Sequence, residues 1–378
     1  MILLHTSDWH LGAIDCERPL LADQQFFIDE ICRVIEREQV DAVLIAGDVY
    51  DRSVASAEAI KLYDDAMTRI CKTLGVPVLI IAGNHDSAER LASCSELLKA
   101  VGLHIAGALT RTPEVVPFAD TEIFLLPWIT EAKVKSIYPE EKDRIDGIED
   151  AYHVVLDHFR AAFTPGKKHV LIAHAFITNA ETSTSDRAAE IGFAMQVPAS
   201  VFDGFDYVAL GHIHKPQDVT ETIRYSGTPM PFSFGREETQ QKSVTLIDTQ
   251  TMERRIVPLG LLHRRTTITG TLEEVLHPTY GDEVKNGYVR AVVTDSFIGL
   301  ETLSMLHETY PNLLDASGKT FENESASVTM TIRELEELGR DPAEVFRYFC
   351  KEELDVSPDE RLIGLFRQAM ESVGEVEL

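Results

Sequence analysis

The sequence predicts a layered α/β fold, and three observations predict it. Short apolar runs dense in Val, Ile and Leu recur at residues 2–5, 42–46, 76–82, 123–126, 170–173 and 207–210, the composition of strands buried on both faces. Amphipathic helical stretches separate several of them, so helices are expected to cover a sheet. Five of the runs stop on Asp, His or Asn, which places polar groups at the carboxyl ends of strands, where the loops of an α/β sheet converge on a ligand.

In chain order, the stretch between the first two runs lines up Phe27, Ile31, Val34 and Ile35 on one helical face, and the stretch before Val76 lines up Ile60, Tyr63, Met67, Ile70 and Leu74. From residue 223 to about 259 the pattern changes to short strands and turns: "YSGTPMPFSFG" is rich in Gly and Pro, and "KSVTLIDTQTMERRIVPL" reads as a hairpin. Strand–helix alternation then resumes at 266–270, 288–294 and 327–333, with a helix running through Tyr310, enough for a small second α/β unit. The tail carries two helix starts, Asp341-Pro342-Ala343-Glu344 and Ser357-Pro358-Asp359-Glu360, each with a cap residue, Pro in the first turn and Glu three residues after the cap. Apolar stripes follow, Val345, Phe346 and Phe349 in one helix and Leu362, Phe366 and Met370 in the other. They either pack on their own domain or dock a partner. The expected units are therefore 1–262, 263–335 and 336–378.

No stretch approaches the roughly 18 apolar residues of a membrane span, and the first residues lack the basic region and apolar run of a secretory signal. Cys16, Cys32, Cys71, Cys94 and Cys350 form no CxxC pair, which reads as reduced thiols in a cytoplasmic protein. The 62 acidic residues outnumber 35 basic ones, for a formal charge of −27. A protein that grips nucleic acid by neutralising phosphates normally shows a basic patch. Either the ligand is not a polyanion, or metal ions and a partner supply the positive charge.

The chemistry is carried by five strand ends: "SDWHLG" with Asp8 and His10, "AGDVYDR" with Asp48 and Asp51, "AGNHDS" with Asn84, His85 and Asp86, "IAHAF" with His174, and "LGHIHK" with His212 and His214. Asp8, His10, Asp48, Asn84, His174, His212 and His214 are mixed oxygen and nitrogen donors without a thiol, a set suited to hard or borderline divalent ions such as Mn²⁺ or Fe²⁺. One ion cannot use seven protein ligands and still bind substrate. Two can, if one carboxylate bridges them, and Asp48 on an interior strand is the best bridge. Alternation puts Trp9 on the opposite face, in the core. Of the 13 histidines, His5, His104, His153, His158, His169, His263, His277 and His307 read as structural.

This ordered set, D-x-H, GD-x-x-D, GNHD, a lone His and GH-x-H, resembles the calcineurin-like metallophosphoesterases. "GNHDSAERL", "GHIHKPQ" and "YSGTPMPFSFG", with the appended small domain and helical tail, resemble more narrowly the members of that family that act as nuclease subunits of ATPase complexes. The resemblance implies a layered β-sandwich core with flanking helices. It implies one ion on Asp8, His10, Asp48 and His214, and a second on Asp48, Asn84, His174 and His212. It assigns His85 to the phosphate and the leaving oxygen, and Asp51 to orienting His85, with Asp86 a rival for that task or a helix cap. It further implies Mn²⁺-dependent double-strand exonuclease and single-strand endonuclease activity on DNA, a coiled-coil ATPase partner docked by the tail, and a homodimer. No DNA path stands out; Arg52 and Arg90 lie close to the motifs. Phosphomonoesterases and cyclic-nucleotide phosphodiesterases share the five motifs and are the alternative. A DNA-end scaffold with a vestigial site would be expected to have lost a ligand.

Overall fold

The computed structural model describes residues 1–183, 185–186, 195–277, 280–296, 298–318, 361 and 363–366. Two six-stranded sheets form its centre. The first contains β1 (Ile2–Thr6), β2 (Ala42–Ala46), β3 (Val78–Ile81) and β4 (Leu103–Ala106), all parallel. The second follows with β5 (Glu114–Pro117), β6 (Thr121–Leu126), β7 (Lys168–His174), β8 (Tyr207–Gly211), β9 (Gln217–Asp218) and β10 (Ile223–Tyr225). The chain then returns to the first sheet with β11 (Ser243–Asp248) and β12 (Arg254–Pro258), the expected hairpin, and β11 pairs antiparallel with β1. The orders are β12-β11-β1-β2-β3-β4 and β9-β10-β8-β7-β6-β5.

Strand alternation sorts the apolar runs into two cores. Leu3, Leu44, Leu79 and Ile81 face inward and meet Ile123, Leu125, Val170, Ile172 and Tyr207 of the opposite sheet. Their neighbours Leu4, Val43, Ile45 and Ile80 face outward, under α1 (Leu21–Glu38) and α2 (Ala57–Met67). Phe124, Leu171 and Val208 lie likewise under α3 (Ile148–Ala161). The result is a helix–sheet–sheet–helix sandwich, with strands buried on both faces as the unbroken apolar runs require. Polar pins also cross between the sheets. His5 Nε2–H donates to the Leu210 carbonyl at 3.1 Å while Nδ1 accepts from the Tyr207 hydroxyl at 2.9 Å, and Arg224 Nε donates to Thr245 Oγ1 at 2.9 Å.

The face expected before β3 is shifted. Ile60 is 51% exposed, whereas Met67 is buried as expected, and α2 buries Ala59, Leu62 and Ala66 beside it. The loop carrying Gly12 comes so close that a Cβ there would lie 2.9 Å from the Ala59 Cβ. Only a small side chain fits against it, so Ala59 takes the inward position and Ile60 turns out. Past Met67 the helix widens into a π-helical segment, Thr68–Thr73, which keeps Ile70 in the core.

A smaller parallel sheet follows: β13 (Arg265–Gly270), β14 (Tyr288–Val293) and β15 (Leu313–Ser317). Ile268, Val289 and Ala291 pack there with Leu306 and Tyr310 around helix α4 (Leu300–Thr309). Tyr288 O–H donates to Asp23 of α1 at 2.6 Å, Arg18 donates to Asn312 at 2.7 Å, and the Thr267 N–H donates to Glu238 at 2.7 Å. β15 is not among the strands expected from the sequence. The strand expected at 327–333 and both tail helix starts lie outside the described residues, although Arg361 and 363–366 are helical. Among the described residues, no helix is long and apolar enough to cross a membrane.

Candidate metal centre

The five strand ends meet at one edge of the sandwich, on a rim shared by two sheets: β1, β2 and β3 bring Asp8, His10, Asp48 and Asn84, and β7 and β8 bring His174, His212 and His214. Backbone bonds stitch the first two loops together, Asp8 N–H to the Gly47 carbonyl and His10 N–H to the Asp48 carbonyl, each at 3.0 Å. Four donors hold positive φ, Asp8 at 53°, His10 at 44°, Asp48 at 50° and His212 at 101°. Such backbone costs of order 1–3 kcal/mol per residue and persists where surrounding contacts enforce it, commonly at functional sites. The loops also pack too tightly for side chains at two positions. A Cβ on Gly83 would collide with the Asp48 carboxylate, and one on Gly47, itself at φ +87°, with the His174 ring.

Among the described residues, three clusters could each hold an ion, with donor atoms mutually within 4.8 Å: Asp8, His10 and His214; Asp8, Asp48 and His174; and His10, Asp51 and His85. His174 Nδ1–H donates to the Ala46 carbonyl at 2.8 Å, which aims Nε2 at Asn84 Oδ1 (2.9 Å) and Asp48 Oδ2 (3.3 Å). His212 Nδ1 lies 3.1 Å from the same Asn84 oxygen. On the other side, His10 Nε2 and His214 Nε2 face each other at 3.1 Å, and His10 Nε2 stands 3.9 Å from Asp48 Oδ2. Asp48 thus lies between the two groups.

Electrostatics shows what the pocket requires. Burial, reinforced by Asp48, pushes the Asp8 carboxyl up to about 7. Burial alone would lower His174, but the adjacent Asp48 carboxylate outweighs it and holds the imidazole at about 9. Asp48 in turn sits well below the ordinary carboxylate range, because His174 overcomes its burial. The protein alone therefore places a positive charge where His174 and Asp48 meet, as a proton; a divalent cation meets the same requirement. His10, lowered to about 3 by burial, and His214, lowered by burial and by Lys242, are neutral imidazoles fit to be ligands. The donor set fits a pair of hard or borderline cations.

The family model of the calcineurin-like phosphoesterases matches residues 1–216. The chain belongs to this family. It is 31% identical over 327 residues to the SbcD subunit of the SbcCD nuclease of Staphylococcus epidermidis, a match covering 85% of this chain and 87% of the relative. Among solved structures, it is similar to a Thermus thermophilus protein (11% identity, 68% of this chain, 98% of that chain, TM-score 0.40) and to a dimetal phosphatase from Danio rerio (12% identity, 69% and 99%, TM-score 0.40).

In this calcineurin-like phosphoesterase, His85 stands at the cleft, which has a volume of about 230 Å³ and is lined by His10, Asp48, Asp51, His85, His212 and His214 among others. His85 Nδ1–H donates to the Asp51 backbone carbonyl at 2.8 Å, and Nε2 lies 4.0 Å from Asp48 Oδ2. The Asp51 carboxylate lies 3.7 Å from His10 Nδ1. Asp86 accepts from the backbone N–H groups of Val49, Tyr50 and Gly83 at 3.1, 2.9 and 2.9 Å, tying the loops after β2 and β3 together. Trp9 is fully buried against Phe27. Arg52 and Arg90 are exposed nearby.

Four neighbours of the site are not among the residues expected from the sequence. Trp128 stacks on His212 with ring centroids 5.2 Å apart, and Phe232 meets the His10 ring edge-on at 5.4 Å. Ser185 and Asp186 bond to His214. No strand end marks Phe232, Ser185 or Asp186. Trp128 does follow an apolar run directly, as the donors do.

Proposed function

We propose that the chain is a two-metal DNA nuclease, hydrolysing phosphodiesters as a double-strand exonuclease and single-strand endonuclease in DNA end processing. The observation that carries this reading is the convergence of seven non-thiol donors from both sheets on one cleft, in a family member that resembles an SbcCD nuclease subunit. Asp8, His10, Asp48 and His214 hold one ion, and Asp48, Asn84, His174 and His212 the other, with Mn²⁺ the best match to the donors. When bound, the cations neutralise the phosphodiester and generate a nucleophile from water near neutral pH.

The protein's own groups do the rest. Buried Asp48 and the four ligand imidazoles keep the donors fixed before substrate arrives, so little reorganisation accompanies the reaction. The Asp51 carbonyl accepts the Nδ1–H of His85, which leaves Nε2 toward the cleft. From the protonated ring, Nε2 donates to the departing ribose oxygen as negative charge builds there. Asp51 acts as the orienting residue through its backbone.

With a charge of −27, the chain gains its DNA grip from the metal ions and from an SbcC-like coiled-coil ATPase, docked by the tail beyond residue 336. The unit 263–335 caps the cleft, two copies of the chain pair as a homodimer, and the free thiols of Cys16, Cys32, Cys71 and Cys94 suit the cytoplasm. The test is cleavage of blunt double-stranded DNA with Mn²⁺, with Mg²⁺ and with chelator, beside a His85→Gln variant and a phosphomonoester control. Metal-dependent cleavage lost in the variant is expected. Turnover of the monoester with DNA untouched, with and without the ATPase, would overturn the reading in favour of a phosphatase.

A further inference from the structure

Beside His214, where Ser185, Asp186 and Ser233 form part of the cleft wall, a polar chain that the reaction above does not use runs inward to buried Glu237 and Lys242. Ser185 Oγ is 2.6 Å from His214 Nδ1 and donates its hydroxyl hydrogen to Glu237 Oε1. Glu237 is 1% exposed, and its carboxylate also accepts from Ser233 Oγ at 2.8 Å, from the Phe232 N–H at 3.0 Å and from Lys242 Nζ at 3.0 Å. Lys242 is fully buried and donates further to Thr228 Oγ1 at 2.8 Å. Asp186 accepts the His214 backbone N–H at 3.0 Å and stands 3.5 Å from Nδ1.

Counting protons along this chain fixes the state of the ring. A serine hydroxyl has one hydrogen, and a carboxylate has none to give. With the Ser185 hydrogen committed to Glu237, Ser185 Oγ can only accept from His214, and the neighbouring Asp186 carboxylate can only accept as well. The His214 proton therefore sits on Nδ1, and the lone pair of Nε2 points at His10 Nε2, 3.1 Å away across the cleft. Lys242 supplies the countercharge that lets Glu237 remain an acceptor in a site closed to water.

We propose that Ser185 and Glu237 are positioning residues for the metal centre: they lock His214 in the Nδ1–H tautomer and so prepare one of the two cation positions, the one His214 shares with His10 and Asp8, while leaving the Asn84–His174 position alone. The inference rests on the metal-site reading above and adds a selective dependence between the positions. It also gives Ser185 an influence on one ion, exerted through His214.

Mn²⁺ titration of the full chain by calorimetry, with wild type, Ser185→Ala, Ser185→Thr and Asp48→Asn side by side, tests it. The outer partners of metal-binding histidines typically govern affinity by about 10–100-fold. Ser185→Ala is expected to weaken one of two Mn²⁺ ions by about that factor and leave the other unchanged, and Ser185→Thr, which keeps the hydroxyl, to restore it. Equal weakening of both ions, or no change in either with the fold intact by circular dichroism, would overturn the proposal. A wild type that binds no Mn²⁺, indistinguishable from Asp48→Asn, would instead overturn the metal-site reading beneath it. A second measurement needs neither metal nor variant. Long-range ¹H–¹⁵N correlation of the imidazoles should place the His214 proton on Nδ1, and finding it on Nε2 would refute the relay.

Discussion

At the residue scale, the proposed mechanism assigns holding the ions and doing the chemistry to different side chains, and substitutions should separate them. Asp48 lies between both donor groups, so Asp48→Asn is expected to abolish binding of both ions in equilibrium dialysis. His85→Gln should retain both and lose about 10²–10⁴-fold in cleavage rate, the usual contribution of a positioned proton donor. Because His85 is held by the Asp51 carbonyl, Asp51→Ala should cost clearly less activity than His85→Gln. His174 sets the pH dependence. Its metal-free imidazole keeps a second proton up to about 9 because Asp48 lies beside it. A cation must displace that proton, so affinity should rise with pH through neutrality by up to about tenfold per unit and level off above about 9. Calorimetry in buffers of different ionisation enthalpy should read proton release near neutral pH, from His174 and from the Asp8 carboxyl, which burial pushes up to about 7.

At the element scale, the loops after β2 and β3 admit no side chain where they touch. Gly83→Ala is expected to lose metal binding and lower the thermal midpoint, since its Cβ would collide with the Asp48 carboxylate. The His5 pin between β1 and β8 makes stability fall in acid. Burial, with Arg224 adding to it, holds the ring at about 3, below its value near 6.5 in an unfolded chain. The unfolded chain therefore takes up the proton first. The contribution is whole above about pH 6.5 and is lost as pH falls from there through about 3. Thermal midpoints of wild type and His5→Leu should differ most at pH 8, where the variant strands the Tyr207 hydroxyl and Leu210 carbonyl at about 1–3 kcal/mol, and should converge by pH 4. The donors and the strands bearing them were legible because apolar runs ending on Asp, His or Asn write element and site together. That two sheets share the rim was not, since a strand buried on both faces carries no mark of which sheet it joins. Ser185 escaped for another reason: its role exists only through Glu237, fifty-two residues away. Ile60 misled because helical period alone cannot register how closely the Gly12 loop approaches.

For the molecule as a whole, net charge governs its dealings with DNA. Phosphate neutralisation by Lys and Arg releases counterions and gives a salt slope of about −0.9 per contact. A chain of charge −27 should show a much shallower slope when it binds duplex DNA alone, read by fluorescence anisotropy between 50 and 200 mM salt. Addition of the ATPase should steepen the slope as the partner contributes cationic contacts. A steep slope for the isolated chain would mean that a basic path lies on this subunit after all.

The interleaving of the two sheets also sets a schedule for synthesis. Asp8 and His10 leave the ribosome first, yet the residues that complete their cluster, His212 and His214, follow some two hundred positions later. The outer neighbour of β1, β11, is translated later still, with Ile2 opposite Asp248. A nascent chain can thus fold helices and short parallel pairs as they emerge, but it cannot close the centre until more than half of it has been made. An interrupted product, truncated anywhere before residue 212, lacks part of the constellation and is expected to be inactive. For a nuclease, that delay is a safeguard written into strand order.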